Sequence, residues 1–157
     1  MRDYAQAAGA FDHAQAAAAA LQGTLAELNA CVECCDRHCG SDKLALRYED
    51  RDGNSQHFTF DELRASSARF ANVLKAQGVG AGDRVAGLLP RTPELLVTIL
   101  ATWRLGAVYQ PLFTAFGPKA IEHRLEQSHA RVVVTDSLNR AKLDEVTDCP
   151  TIIGVQA

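Results

Sequence analysis

Long apolar runs and excess positive charge are both missing from this sequence. No stretch approaches the ~18 consecutive apolar residues that a membrane-spanning helix needs, and the formal net charge is −3. A chain with this balance has no electrostatic field that would attract nucleic acid or an anionic membrane. We therefore expect no nucleic-acid partner and no transmembrane segment.

The N-terminus lacks the basic cluster and apolar core of a secretory signal. Residues 1–20 are rich in alanine, but Asp3, Asp12 and His13 interrupt them. The cysteines number five, an odd count, which together with the missing signal predicts reduced thiols rather than a disulfide framework. The expected location is the cytoplasm.

Familiar catalytic and nucleotide-binding motifs are absent as well. No Gly-x-Ser-x-Gly nucleophile elbow occurs. Gly78, Gly80 and Gly82 fall after a predicted helix and before a predicted strand, which reverses the order of a dinucleotide fingerprint. Gly117-Pro118-Lys119 follows bulky residues instead of a Gly/Ser/Thr-rich run, so it predicts a helix start and not a phosphate loop. The sequence predicts no catalytic residue.

One dense cluster of potential metal ligands is present. Cys31, Cys34, Cys35, His38 and Cys39 lie within nine residues, and a zinc site is one interpretation. However, residues 24–38 contain no Gly or Pro and predict one continuous helix, with the first four of these side chains on one face. A single straight helix cannot surround an ion tetrahedrally, whereas cysteine packs well as a small apolar residue. We favour a buried helix face and predict no metal ligand.

The composition that remains is typical of globular proteins, with 47% hydrophobic and 22% charged residues in a chain of 157. That length is sufficient for one domain with its own core. Residues 1–40 predict a helical N-terminal arm, because apolar residues recur there at spacings of three and four. These residues are Leu21, Leu25, Leu28, Val32 and Cys35.

A hairpin and a long helix are predicted next. Residues 44–59 alternate in polarity on both sides of Asp52-Gly53-Asn54, which is typical of a β-hairpin. Thr59 and Glu62 have the spacing of a capping box, in which each side chain accepts a backbone N–H at the start of a helix. Gly78 is suited to end that helix in the left-handed conformation.

From Gly82 onward, short apolar runs alternate with helical patterns. This β-α-β-α-β-α-β order predicts an α/β fold, with flanking helices on a parallel sheet. Thr92 and Ser137 are predicted helix caps, and Pro118 is predicted to open a helix. The predicted strands are residues 84–89, 108–112, 131–135 and 151–155.

Five short segments, taken together in order, resemble one known family. They are Asn29-Ala30-Cys31 running into Cys35-Asp36-Arg37-His38, then residues 58–63 (FTFDEL), 80–85 (GAGDRV), 106–113 (GAVYQPLF) and 131–136 (RVVVTD). In this order and spacing they resemble the N-terminal segment of an AMP-forming acyl-CoA synthetase. The resemblance is to acetyl-CoA synthetase-like members of the adenylate-forming superfamily.

The resemblance implies a ligase of fatty acid metabolism. Such an enzyme joins a carboxylic acid to ATP, releases pyrophosphate, and transfers the acyl group from the acyl-adenylate to coenzyme A. Its ligands would be ATP, CoA and magnesium, with the metal neutralising phosphate charge. The family's phosphate loop, metal-binding glutamate, ribose-binding aspartate and adenylation lysine all come later in its sequence.

Residues 41–157 are therefore expected to form an incomplete α/β subdomain of the AMP-binding domain. The expected function is that of a fragment which is inactive alone and binds no cofactor tightly. Its exposed strands predict self-association. Two alternatives stay open, a non-catalytic binding or regulatory module with the same partial fold and an unrelated small α/β binding protein.

The same resemblance gives the candidate site residues. In related acetyl-CoA synthetases a Phe-Gly-Gly-Phe stretch and a basic segment after the next strand lie near coenzyme A. The corresponding residues here are Phe113, Thr114, Ala115, Arg140 and Lys142. Arg140 and Lys142 could form charge-assisted hydrogen bonds with a nucleotide phosphate. In the loop, Thr114 and Ala115 replace both glycines of the family's stretch.

Overall fold

The structure, a computed structural model, describes residues 3–24 and 26–156. The N-terminal part has helices α1 (Tyr4–Gly9), α2 (His13–Ala20) and α3 (Ala30–Cys34), then a 3₁₀ turn (Asp36–His38). Next come β1 (Leu44–Glu49), β2 (Ser55–Thr59) and α4 (Phe60–Ala76). The rest has β3 (Arg84–Leu88), α5 (Pro93–Arg104), β4 (Val108–Pro111), α6 (Pro118–Ser128), β5 (Val132–Thr135), α7 (Ser137–Arg140), a 3₁₀ turn (Ala141–Leu143) and β6 (Thr151–Gly154). No helix in these ranges is long and apolar enough to cross a membrane.

The structure confirms the predicted hairpin and the helix that follows it. Strands β1 and β2 pair antiparallel. Thr59 Oγ1 accepts the Glu62 N–H, and the Glu62 carboxylate accepts the Thr59 N–H at 2.7 Å, which completes the capping box. Gly78 follows the helix with φ of 81°, the left-handed backbone that glycine adopts most easily.

The predicted α/β class is also confirmed. Strands β3 to β6 form a parallel sheet in the order β4-β3-β5-β6. Residues Val132, Val133 and Val134 are fully buried on the inner strand β5, as expected for a strand that is covered on both faces. Val132 and Val134 pack in one core cluster with α4 and α5, while Val133 packs in a second cluster with α6.

The predicted continuous helix over residues 24–38 is wrong. Helix α3 begins only at Ala30, because the Asn29 side chain accepts the N–H groups of Cys31 and Val32 and caps a new helix there. Before it the chain folds back, so that the Glu33 carboxylate accepts the backbone N–H groups of residues 22 and 23, each at 2.9 Å.

The apolar positions of the predicted helix therefore do not form one buried stripe. Leu28 is 49% exposed, and Leu25 lies outside the described residues. Cys31 and Cys35 are buried, as predicted, but Cys34 is exposed and not on the buried face. The fold-back after residue 20 changes which side chains can face the body.

Two predicted caps also differ from the structure. Asp136, and not Ser137, caps α7, because its carboxylate follows β5 directly and accepts the Asn139 N–H at 2.8 Å. Thr92 does precede α5, but within the described residues its hydroxyl caps no N–H and is buried without a hydrogen-bond partner. Pro93 already supplies the fixed φ of a first helical residue.

Asp36 and Arg104 connect the N-terminal part to α5. Two guanidinium nitrogens of Arg104 donate to the two carboxylate oxygens of Asp36, at 2.7 and 2.8 Å. Arg104 also donates to Ser67 Oγ on α4, and its backbone carbonyl accepts from the Asn29 side chain. Residues 29–36 are therefore held against the α4–α5 pair.

Candidate functional site

The predicted site residues lie at the carboxyl edge of the parallel sheet. Parallel strands end on the same side, and open α/β sheets bind ligands outside that edge. Residues 112–117 leave β4 at this edge and α7 leaves β5 there. A hydrogen bond between the Lys142 side chain and the Thr114 carbonyl joins the two segments.

Lys142 is held by two oxygens. Its Nζ donates to the Thr114 carbonyl oxygen at 2.5 Å and to Asn139 Oδ1 at 2.9 Å. The Asn139 backbone N–H and side-chain amide both donate to Asp136 Oδ1, each at 2.8 Å. Asp136 is only 3% exposed, so this network begins inside the fold and ends at the loop.

The other predicted residues are more exposed. The Phe113 ring is 61% exposed and contacts the Phe116 ring edge-on, with 5.8 Å between centroids. Ala115 is exposed in the same loop. Arg140 is exposed too, and its Nη1 donates to Asp144 one turn along the chain. The structure therefore joins Lys142 to the loop but pairs Arg140 elsewhere.

A groove of about 640 Å³ runs beside this loop. Its walls are mainly apolar, and Arg91 and Arg124 provide its cationic groups. The Arg124 guanidinium carbon lies 4.1 Å from the centre of the Phe116 ring, which is cation–π geometry. Phe116 of the loop and Arg124 of α6 thus give the groove an aromatic and cationic wall.

Tyr109 and Gly87 form the floor of the groove. A Cβ atom at Gly87 would lie 2.2 Å from the Tyr109 hydroxyl oxygen, so the ring can lie across β3 only because residue 87 is glycine. The hydroxyl is buried and has no hydrogen-bond partner among the described residues. Burial raises the pKa of Tyr109 to about 12, so the hydroxyl stays protonated at neutral pH.

The two buried cysteines of the cluster, Cys31 and Cys35, behave as packed core residues. Burial raises the pKa of the Cys31 thiol to about 11 and that of Cys35 to about 12. Protonated thiols are poor nucleophiles and poor metal ligands. In residues 3–24 and 26–156, no three His, Cys, Asp or Glu side chains converge in a metal-binding arrangement.

A second cavity, of about 330 Å³, lies between α6 and the loop before β6. Glu122 is in its wall and accepts the Thr147 backbone N–H at 2.8 Å and the Lys119 ammonium at 3.0 Å. Hydrogen bonds from Thr147, then from Lys119, lower the pKa of this carboxyl to about 2. The arrangement ties the loop before β6 to α6.

Sequence reasoning missed several residues of the groove and of the hydrogen-bond network that ends at the loop. Asp136 could have been found, because a carboxylate directly after a buried strand is at the ligand-binding edge of a parallel sheet. Arg124 and Tyr109 had no such signal. Their positions beside Phe116 and Gly87 result from packing between separate elements.

Comparison with protein families and solved structures gives consistent matches. The family model described as AMP-binding enzyme matches residues 33–156. A crystal structure of Brucella canis acyl-CoA synthetase superposes on the whole chain with a TM-score of 0.94 and 52% sequence identity. This chain covers 29% of that protein.

Two curated relatives show the same relation. Acetyl-coenzyme A synthetase of Sodalis glossinidius is 44% identical over 111 residues, which are 69% of this chain and 17% of that protein. Acetyl-coenzyme A synthetase of Bacillus subtilis is 38% identical over 152 residues, which are 93% of this chain and 26% of that protein. The chain thus matches only 17% and 26% of the length of these curated relatives.

Proposed function

The chain belongs to the AMP-binding enzyme family, as its resemblance to the N-terminal segment of acyl-CoA synthetases predicted, and we propose that it is part of an ATP-dependent acyl-CoA ligase. The observation that carries the proposal is the match of the entire chain to an acyl-CoA synthetase at 52% identity. The two acetyl-coenzyme A synthetases support the same reaction class.

The proposed reaction has two steps. A carboxylate oxygen attacks the α-phosphorus of ATP, and the bond to pyrophosphate breaks, which leaves an acyl-adenylate. The CoA sulfur then attacks the acyl carbon, and AMP leaves with the bonding electrons. Adenylation converts a poor electrophile into one with a good leaving group, and magnesium would neutralise phosphate charge in the first step.

In this proposal residues 41–157 supply an incomplete α/β subdomain and one side of the coenzyme site. Phe113, Thr114, Ala115, Arg140 and Lys142 are proposed to face the nucleotide end of CoA. Support comes from the adjacency of the loop and Lys142 at the carboxyl edge of the sheet, and from the aromatic and cationic character of the groove. Residues 1–40 are proposed to act as the docked N-terminal arm.

The chain alone is proposed to be inactive and to bind no cofactor tightly, because the groups that grip triphosphate in the family come later in its sequence. A chimera provides the test. This chain would replace the matching segment of the Brucella canis acyl-CoA synthetase, and acyl-CoA formation would be measured beside ATP–pyrophosphate exchange. We expect an active chimera and no exchange by the isolated chain.

A point variant tests the coenzyme contact in the same chimera. Arg140→Met should raise KM for CoA several-fold while leaving ATP–pyrophosphate exchange intact, since that half-reaction uses no CoA. Arg69→Met is the matched control, because Arg69 lies exposed on α4 and its guanidinium donates to Ser66 on the same helix. Equal effects of the two variants would count against the contact.

Other results would contradict the larger proposal. A correctly folded chimera that forms acyl-adenylate at no measurable rate would favour the alternative, a non-catalytic binding or regulatory module. Exchange by the isolated chain above a protein-free blank would refute its proposed inactivity.

A cytoplasmic location and a role in fatty acid metabolism are parts of the same proposal. The location is supported by the free thiols, which fit a reducing compartment.

Self-association is proposed for the isolated chain. In the described residues β4 and β6 are the edges of the sheet, and exposed strand edges can pair with another chain. Light scattering after size exclusion should show mass above that of a monomer, and a monodisperse monomer would contradict this part.

A further inference from the structure

Lys142 occupies an unusual position for a cation that was expected to meet a phosphate. Its ammonium points at the Thr114 carbonyl and Asn139 Oδ1, both neutral oxygens of the protein. An ammonium group has three donors, and two of them are used by these contacts. The side chain is partly buried, in contrast to the exposed Arg140 beside it.

Asn139, the partner of Lys142 on α7, is itself held by Asp136. Asp136 is buried at the end of β5, and its Oδ1 receives both the backbone and the side-chain N–H of Asn139. Because the amide nitrogen of Asn139 is used there, its oxygen is turned toward Lys142. The hydrogen bonds therefore run without interruption from β5 through Asp136, Asn139 and Lys142 to Thr114.

The loop that Lys142 holds is packed at its two ends, where Leu112 is buried and Phe116 contacts the core and Arg124, but not in its middle. Its start is fixed by the Leu112 N–H, which donates to the Gly87 carbonyl, and its turn by the Phe116 N–H, which donates to the Phe113 carbonyl, both at 2.9 Å. Phe113 is largely exposed, so burial of that ring does not anchor the loop. Within the described residues, the bond from Lys142 is the one from a side chain to the middle of the loop.

We infer that Lys142 is a positioning residue, which holds the Thr114 carbonyl and so keeps the loop of residues 112–117 in the conformation that presents Phe113. This rests on the proposed function, in which that loop faces the nucleotide end of CoA. Lys142 therefore acts through the loop, and Arg140, which is exposed and would have to exchange its bond to Asp144, is the cation of this segment proposed to meet the phosphate. A direct phosphate contact by Lys142 would have to break its bond to Thr114.

Hydrogen exchange in the isolated chain tests the inference. Lys142→Met keeps the length of the side chain but removes its donors, and Lys142→Arg keeps both donors and charge. We expect the amides of residues 114–117 to exchange about ten-fold faster in Lys142→Met, the change that loss of one charge-assisted hydrogen bond produces. Lys142→Arg should restore much of the protection. Arg69→Met, the matched control on α4, should leave the loop unchanged.

The KM for CoA in the Brucella canis chimera, measured beside ATP–pyrophosphate exchange, provides the second readout. Lys142→Met should raise KM for CoA several-fold while ATP–pyrophosphate exchange, which uses no CoA, stays the same, and a general loss of stability would not produce this difference. Loop exchange equal to wild type in Lys142→Met would overturn the inference. Faster loop exchange in Lys142→Met with an unchanged KM for CoA would instead count against the proposed coenzyme contact, so the two failures are distinguishable.

If Lys142→Met does not fold, the wild-type chain still decides the question. The ammonium protons of Lys142 should exchange with water several-fold more slowly than those of Lys119, which is exposed and bonds only to Glu122 in the described residues. Equal or faster exchange at Lys142 would overturn the inference.

Discussion

The Asp36–Arg104 pair gives the sharpest test of how the N-terminal segment is held. The two residues are 68 positions apart and form a two-bonded ion pair between the 3₁₀ turn and α5. Replacing Asp36 by Asn removes the charge and one of the two acceptor oxygens, while the volume of the side chain stays nearly the same. Arg104 would keep its bond to Ser67.

The expected cost follows from the degree of burial. An exposed ion pair contributes roughly 0–1 kcal/mol, whereas removing one partner of a buried pair costs about 3–5 kcal/mol. Each side chain of this pair is 22% exposed, so it lies between these limits. Because Ser67 still accepts one bond from Arg104, we expect Asp36→Asn to lower the free energy of unfolding by about 2 kcal/mol.

Urea unfolding followed by tryptophan fluorescence measures this cost. Trp103 is the only tryptophan in the sequence and packs against the cluster that contains Cys31 and Cys35. Its emission therefore reports whether the N-terminal segment is docked. A double-mutant cycle with Asp36→Ala and Arg104→Ala should give a coupling energy of about 1.5–3 kcal/mol.

The Arg140–Asp144 pair provides the control, since its side chains are 44% and 63% exposed. Asp144→Asn should change the free energy of unfolding by less than about 0.5 kcal/mol. The reasoning is refuted if Asp36→Asn costs no more than Asp144→Asn, or if the coupling energy of the cycle is zero within error.

Three further predictions use the same unfolding assay. Thr59→Ala should lower the free energy of unfolding by about 1 kcal/mol, because it removes the hydroxyl that caps α4. Thr92→Ala should be neutral or stabilising, because that hydroxyl is buried without a partner in the described residues. Equal losses of stability in the two variants would contradict this. Gly87→Ala should destabilise by about 1–3 kcal/mol, because the added methyl group would strike the Tyr109 ring. In a Tyr109→Ala background, where that ring is absent, the same change should add little further cost, and a neutral Gly87→Ala in the wild type would contradict the packing. The pKa of Glu122 is depressed from 4.5 to about 2. Its contribution to the free energy of unfolding is therefore full above pH 4.5 and is lost as the pH falls toward 2. Glu122→Gln should flatten the dependence of the free energy of unfolding on pH in this range, and an unchanged dependence would contradict the assignment.

Local patterns in the sequence were enough for most of the secondary structure. The capping box at Thr59 needs only two side chains three residues apart, and it formed as predicted. The run Val132-Val133-Val134 predicted a strand covered on both faces, and all three residues are buried. Such signals depend on neighbours along the chain, and they survive tertiary packing because the fold agrees with them.

The break before Ala30 shows where local reasoning failed. Residues 24–38 have no helix-breaking residue, yet the Asn29 cap and the Glu33 carboxylate stabilise a fold-back in place of a continuous helix. The bonds to Glu33 come from residues 22 and 23, and the docking bond from Asn29 goes to the Arg104 carbonyl. Contacts between residues ten or more positions apart produce no periodic pattern in the sequence, so they could not be predicted from it.

By itself the sequence determined the α/β class, the order of the elements from β1 onward, the starts of α4, α5 and α6, and the family, because these follow from short-range patterns and from motif order. Tertiary structure alone decided the strand order β4-β3-β5-β6, the pairing of Asp36 with Arg104, and the contact of Lys142 with Thr114. Each of these joins groups far apart in the chain, and their distances are set by how helices pack on the sheet. The sequence named Lys142 as a candidate, but only the fold showed that its charge is turned toward the loop.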